Sequence, residues 1–217
     1  MSFDSALNFV EYDLQIIALT WMAVLYAIKA VQLSRLPMPW EQAPARGSRT
    51  AGARRSYAGI FMPWTRESSR KHLWRWFEFG AYHVGAGVAI LITFTLPFTP
   101  GIMTRAVSVA CAVLIAPALL IGFAKVYRRV TDPGLSYISS RDDYFSLVAL
   151  QSFFFTAVMV LLYDTPGWRM AYFLVVAAFL FYVPFSKISH YVYYFFAHYL
   201  TGSRYGYRGV VPGGGAS

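Results

Sequence analysis

The chain has 217 residues, of which 57% are apolar, 18% aromatic and only 13% charged, and its mean hydropathy is +0.45. Soluble domains carry about 25% charged residues, so this composition excludes an ordinary soluble domain and predicts an integral membrane protein. We therefore expect the net charge of +9 to reflect topology in the membrane, with no nucleic-acid partner. The single Cys111 excludes an internal disulfide and a thiolate metal site.

Apolar runs of about 20 residues are long enough to cross the hydrocarbon core of a bilayer. Five such runs predict an all-α integral membrane protein, a bundle of five transmembrane helices. Residues 1–209 are predicted to form a single membrane domain, followed by a flexible tail at 210–217. The predicted spans cover about residues 13–33, 76–98, 105–126, 144–163 and 170–198, the last as one continuous helix.

Basic residues are concentrated on one side of these predicted spans. Nine of them lie between Arg35 and Arg75, and 17 of all 19 fall on the same side, which leaves only Arg105 and Arg169 opposite. Such an excess marks the cytoplasm, so the N-terminus is predicted outside, and the loop 34–71 and the C-terminus inside. This basic loop is expected either to contact anionic lipid or to dock a soluble partner.

Two histidines lie at similar predicted depth in two different spans. His83 lies one to two turns inside the second span, and His190 lies near the cytoplasmic end of the fifth. Ionisable residues inside spans indicate function, and one imidazole from each of two helices can hold the iron of haem b. Lys187, one turn deeper than His190, would then face a haem propionate. The alternative is two unrelated interhelical histidines and a lysine that reaches the interface.

Three glycines surround His83 in the second span. They are Gly80, Gly85 and Gly87. Because glycine has no side chain, these positions allow a flat macrocycle or a neighbouring helix to approach closely.

Three stretches of sequence are informative together: VPFSKISHYVYYFFAHYLTGSRYGYRG (Val183–Gly209), YRRVTDPGLSYISSRDDYFSL (Tyr127–Leu147) and YHVGAG (Tyr82–Gly87). They resemble the end of the last span, the basic loop before span four and the start of span two in a cytochrome b subunit family. That family includes the gamma subunit of respiratory nitrate reductase and the membrane subunits of heterodisulfide reductase and dissimilatory sulfite reductase-linked complexes. The resemblance strengthens the expectation of haem b bound by His83 and His190.

The chain departs from the two-haem pattern of the nitrate reductase relative at two positions. Thr93 and Tyr172 stand where that pattern has the second pair of haem ligands. Neither side chain is a usual ligand of low-spin haem b, so the comparison implies one haem per chain. The space is expected to be filled by a bulky side chain such as Tyr172, a lipid tail or a quinone ring.

The resemblance also implies a role in respiration. It implies electron exchange between the quinone pool and a cytoplasmic iron–sulfur subunit, within a complex of a prokaryotic inner membrane. One cysteine cannot hold an iron–sulfur cluster, so the cluster belongs to the partner, and the loops 34–71 and 125–141 are its expected platform. A haem-free anchor or assembly subunit is the alternative, whereas a transporter is disfavoured because the spans contain few polar residues.

The quinone is expected close to the single haem. Its candidate contacts are His72, His198 and Arg128. A second haem between His72 and His198 is disfavoured for two reasons. Eight residues of helix rotate His198 by about 80° from His190. Interfacial Arg, Trp and Tyr residues also surround both His72 and His198.

Overall fold

The computed structural model describes residues 2–37, 41–59, 61–65 and 67–210, and every regular element among them is helical. The α-helices are α1 (Phe3–Asn8), α2 (Leu14–Ser34), α3 (Arg49–Ala58), α4 (Glu67–Lys71), α5 (Leu73–Phe98), α6 (Arg105–Thr131), α7 (Pro133–Ile138), α8 (Arg141–Tyr163), α9 (Pro166–Tyr182) and α10 (His190–Tyr207). A π-helical segment, Phe9–Asp13, joins α1 to α2. Residues 211–217 of the predicted tail lie outside the described residues.

Among the described residues, five segments are long and apolar enough to cross a membrane, which confirms the prediction of an all-α, multi-pass membrane protein. They are Phe3–Ser34, Leu73–Phe98, Arg105–Thr131, Arg141–Tyr163 and Pro166–Phe185.

The last predicted span differs most from the structure. The prediction was one helix from 170 to 198, but α9 ends at Tyr182 and is followed by two 3₁₀ turns, Val183–Phe185 and Lys187–Ser189. Pro184 explains the interruption, because proline has no N–H and its ring clashes with the preceding helical turn. His190 consequently begins a separate helix, α10.

The chain divides into two compact units, and the first comprises Met1–Val24 and Phe77–Ile188. Within it, α8 packs against both α6 and α9. Close approach of α5 and α6 depends on Gly85, where an added Cβ would lie 2.5 Å from the Cβ of Ala118. The buried core combines small residues with large aromatic ones, which is typical of helix packing in membranes; among its members are Ala89, Ile92, Ile115, Phe153, Phe154, Ala157, Tyr172 and Phe173.

The N-terminal end of the first unit is fixed by buried polar contacts. Gln15 donates from Nε2 to the carbonyl oxygens of Val10, at 2.9 Å, and Phe173, at 2.8 Å. The buried carboxylate of Glu11 accepts from Arg169 at 3.1 Å. Residues 9–13 therefore pack against α9 although they leave regular α-helical geometry.

The second unit comprises Leu25–Trp76 and Ser189–Ser217, and its centre is the crossing of α3 and α10. A Cβ added at Gly52 would lie 2.2 Å from the carbonyl oxygen of Gly202, and one at Gly206 would lie 2.2 Å from that of Ser48. The two backbones are thus in direct contact. Gly202 and Gly206 are four residues apart and share one face of α10, as close helix packing requires. Part of the basic loop 34–71 is therefore an ordered helix.

A buried carboxylate also joins α10 to the segment before α3. Glu41, whose side chain is only 6% exposed, accepts from Arg204 Nε at 2.7 Å and from Arg208 Nη2 at 3.0 Å. Hydrogen bonds from Arg208 and then Arg204 lower the pKa of Glu41. The carboxylate therefore stays charged and paired at neutral pH.

We predict that Gly52→Val separates α3 from α10, because the new side chain must displace the Gly202 carbonyl. Overpacking of this kind costs about 1–3 kcal/mol, so tryptic cleavage after Arg54 and Arg55 should accelerate by about tenfold. Ala51→Val is the matched control, since Ala51 is exposed on the same helix. Equal cleavage rates in the two variants would contradict the backbone contact.

Candidate functional site

His83 is held in a defined orientation by its own helix. Its Nδ1 lies 2.7 Å from the carbonyl oxygen of Phe79, one turn earlier in α5. A carbonyl oxygen can only accept, so Nδ1 carries a proton in this contact. Histidine ligands of metals generally make this arrangement, in which a hydrogen bond to the other ring nitrogen fixes tautomer and ring orientation.

One face of α5 is flat on both sides of His83. Gly80 and Gly87 lie three residues before and four residues after it, and such spacings share a helix face. Among the described residues, no atom lies within 4 Å of a Cβ added at either glycine. Gly85, by contrast, packs against α6, so the glycines around His83 have two different uses. The face of Gly80, His83 and Gly87 therefore leaves room for a planar group to approach.

His190 follows a segment whose charge is already balanced. Lys187 Nζ donates to Asp143 Oδ2 at 2.6 Å and to Ser140 Oγ at 2.9 Å. A haem propionate was the predicted counter-charge for Lys187. In the structure, the carboxylate of Asp143 forms an ion pair with this lysine. The Lys187 side chain is 58% exposed, and its contact to a propionate stays a prediction. His190 itself is the first residue of α10 and has an exposed side chain.

The three candidate quinone contacts lie in different surroundings. His72 is exposed, between α4 and α5. His198 contacts Ser56 through Nδ1, at 2.8 Å to Oγ and 3.0 Å to the carbonyl oxygen, and so joins α10 to α3. Arg128 donates from Nη2 to both carboxylate oxygens of Glu78 at 3.1 Å. Two of the three therefore have clear structural contacts, and all three remain predictions as quinone contacts.

The level of Thr93 and Tyr172 is filled by protein. Tyr172 is fully buried, its hydroxyl lies 2.7 Å from the Thr93 hydroxyl, and it donates to the Ala89 carbonyl at 3.0 Å. The ring of Phe153 stacks on that of Tyr172 with centroids 6.0 Å apart. A bulky side chain was one of the expected occupants of this space.

A buried polar group that the sequence analysis missed lies beside His83 in sequence. The ring of Tyr82 has Lys125 Nζ 3.7 Å from its centroid. Within the described part of the chain, neither the Tyr82 hydroxyl nor the Gln151 amide has a well-formed hydrogen bond, although both are buried. Gln151 occupies the space that a side chain at residue 122 would need, since an added Cβ on Gly122 would lie 1.7 Å from it. In the sequence, the presence of Gln151 within the apolar run 144–163 could have indicated this buried polar group.

The described residues contain no cluster of three or more His, Cys, Asp or Glu that could hold a metal ion. The helices and their packing define the class: an all-helical, multi-pass membrane protein. No protein-family model, no curated protein and no solved structure matches the chain.

We predict that the Tyr172 position is a packed core site. Tyr172→Ala should lower the free energy of unfolding by about 3–5 kcal/mol, and Tyr172→Phe by about 1 kcal/mol, because only the hydroxyl contacts are lost. Unfolding in mild detergent measures both. Tyr163→Ala is the control, since Tyr163 is 62% exposed at the end of α8. A similar, small effect of both alanine variants would refute the assignment.

Proposed function

We propose that this chain is a haem b-containing membrane subunit of a respiratory oxidoreductase complex, with His83 and His190 as the axial ligands. The observation that carries the proposal is the orientation of His83: its Nδ1 lies 2.7 Å from the Phe79 carbonyl oxygen, and Gly80 and Gly87 lie on the same helix face as the imidazole. The haem would supply one-electron transfer, because two imidazole ligands leave no iron position for a substrate. The protein supplies binding, orientation and electrostatic tuning.

The proposed topology places the N-terminus outside and the C-terminus in the cytoplasm of a prokaryotic cell, with the chain in the inner membrane. Its support is the concentration of 17 of the 19 basic residues on one side of the spans. Both ligands then lie toward the cytoplasmic side. A cytoplasmic subunit with iron–sulfur clusters is the electron partner, and membrane quinone is the other.

The proposed stoichiometry is one haem per chain. Its support is the packing around Tyr172, because a fully buried tyrosine bonded to Thr93 and stacked on Phe153 occupies the interior at that level. The quinone ring is proposed to bind in the half of the membrane that holds the haem, with His72, His198 and Arg128 as candidate contacts.

A haem-free anchor or assembly subunit of such a complex is the second candidate. Two contacts favour it. Lys187 has a counter-charge in Asp143, and His198 has a structural contact to Ser56. In that case His83 and His190 would serve only helix packing, and the purified protein would have no haem absorption.

We predict that the purified chain contains haem b, measured as pyridine haemochrome, at about one per chain. His83→Ala and His190→Ala should each abolish the Soret band, because loss of either imidazole removes an axial ligand. His72→Ala and His198→Ala are the matched histidine controls and should retain it.

Separate outcomes test the separate parts of this proposal. Normal haem content after loss of His83 or His190 would refute the ligand assignment. A content near two per chain would refute the single-haem count. A colourless wild-type protein, purified from cells supplied with haem, would favour the anchor.

A further inference from the structure

The break between α9 and α10 is stabilised by side chains that replace helical hydrogen bonds. Ser186 Oγ donates to the Val183 carbonyl at 3.0 Å and accepts from the Ile188 N–H at 3.1 Å. The Lys187 N–H donates to Asp142 Oδ2 at 2.9 Å. The segment thus adopts one defined path, because each of these backbone groups has a specific partner.

Asp142 contacts this segment at both ends. One carboxylate oxygen accepts from the Lys187 backbone, and the other accepts from the hydroxyl of Tyr182, the last residue of α9. Tyr182 also contacts the Ser146 hydroxyl at 2.9 Å. Asp142 of α8 therefore holds the chain at two places: at Tyr182, where α9 ends, and at Lys187, three residues before His190.

Asp143, the next residue of α8, holds the side chain of Lys187. Its Oδ2 accepts from Lys187 Nζ at 2.6 Å and from the Ser140 N–H at 2.8 Å, as part of a capping box at the start of α8. Arg129 Nη1 lies 3.6 Å from the other oxygen. Because Asp143 is fixed by its own helix terminus, its contact to Lys187 restrains the segment rather than the reverse.

We propose that Asp142 and Asp143, here called the acidic clamp, are positioning residues for His190. By fixing the backbone from Tyr182 to Lys187, the acidic clamp restrains the chain immediately before His190 and so limits the orientations open to its imidazole. This inference rests on the proposed function, since it treats His190 as a haem ligand. Groups that orient a ligand in this way tune the metal although they do not touch it.

The test compares Asp142→Ala with Asp132→Ala in the full-length protein. Asp132 is the matched control, because it also accepts from a backbone N–H, that of Leu135 at 3.0 Å, but lies outside the segment that leads to His190. Hydrogen exchange measures the Lys187 amide, and electron paramagnetic resonance of the oxidised haem measures the orientation of the axial imidazoles.

Asp142→Ala should accelerate exchange at Lys187 by about tenfold, as expected for loss of a hydrogen bond to a charged acceptor. It should also shift or broaden the low-spin haem signal, whereas Asp132→Ala should change neither. Lys187→Met should shift the same signal, and Lys187→Arg should restore it, because arginine retains the ion pair with Asp143.

The outcomes separate this inference from the proposed function. Faster exchange with an unchanged haem signal would overturn the positioning role and leave the ligand assignment intact. If Asp142→Ala fails to accumulate, Asp142→Asn decides, since it keeps one acceptor oxygen and should give a smaller shift; a wild-type signal there overturns the inference. Wild-type protein without haem would overturn both.

Discussion

Backbone groups that leave a helix within an apolar environment need partners from the same protein. In this chain the requirement applies to the backbone after α9, at Val183–Ser189, where Pro184 interrupts the helix. The partners are Ser186 within the segment and Asp142 from α8. Without these contacts the backbone N–H groups of Lys187 and Ile188 would lose their partners. The path of the chain just after α9 therefore depends on Ser186 and on a carboxylate of α8.

Helix α5 serves two purposes on two faces. Gly85 faces α6 and allows the close packing of the first unit, whereas Gly80 and Gly87 flank His83 on another face. Tyr82 lies on the packing side of the helix, where its ring contacts that of Phe154 and Lys125 Nζ lies over it. The same helix can therefore contribute to a rigid core and present an oriented imidazole, because neighbouring residues point in directions about 100° apart.

The spans could be predicted because hydrophobic length is a strong local signal. Helix ends differed by only a few residues, except that the first span begins at Phe3 and not near residue 13, and that α9 ends at Tyr182. Pro184 was visible in the sequence, but the carboxylate that stabilises the break lies more than 40 residues away. Asp143 as the partner of Lys187 was equally non-local. Helix α3 was not predicted, because its polar composition has no apolar stripe. Gly52 and Ser56 are the positions at which it packs, and they can be recognised as packing positions only once Gly202 is known to lie against them.

The His83 site shows the same division between local and distant information. Its position in the span and its neighbouring glycines are local features of the sequence. The bond from Nδ1 to Phe79 follows from a spacing of one helical turn, but the sequence does not decide which rotamer the ring adopts. The different uses of Gly80 and Gly85 depend on where α6 packs, which no short-range pattern contains.

The contact between α3 and α10 has a consequence for biosynthesis. Gly52 and Gly202 are separated by about 150 residues of chain, and the ribosome adds about 5–20 residues per second. Helix α3 is therefore complete about 8–30 seconds before α10 exists, while four further apolar segments are still being inserted. During that interval Gly52 lacks its packing partners on α10, so α3 and α10 can pack together only when translation is essentially finished.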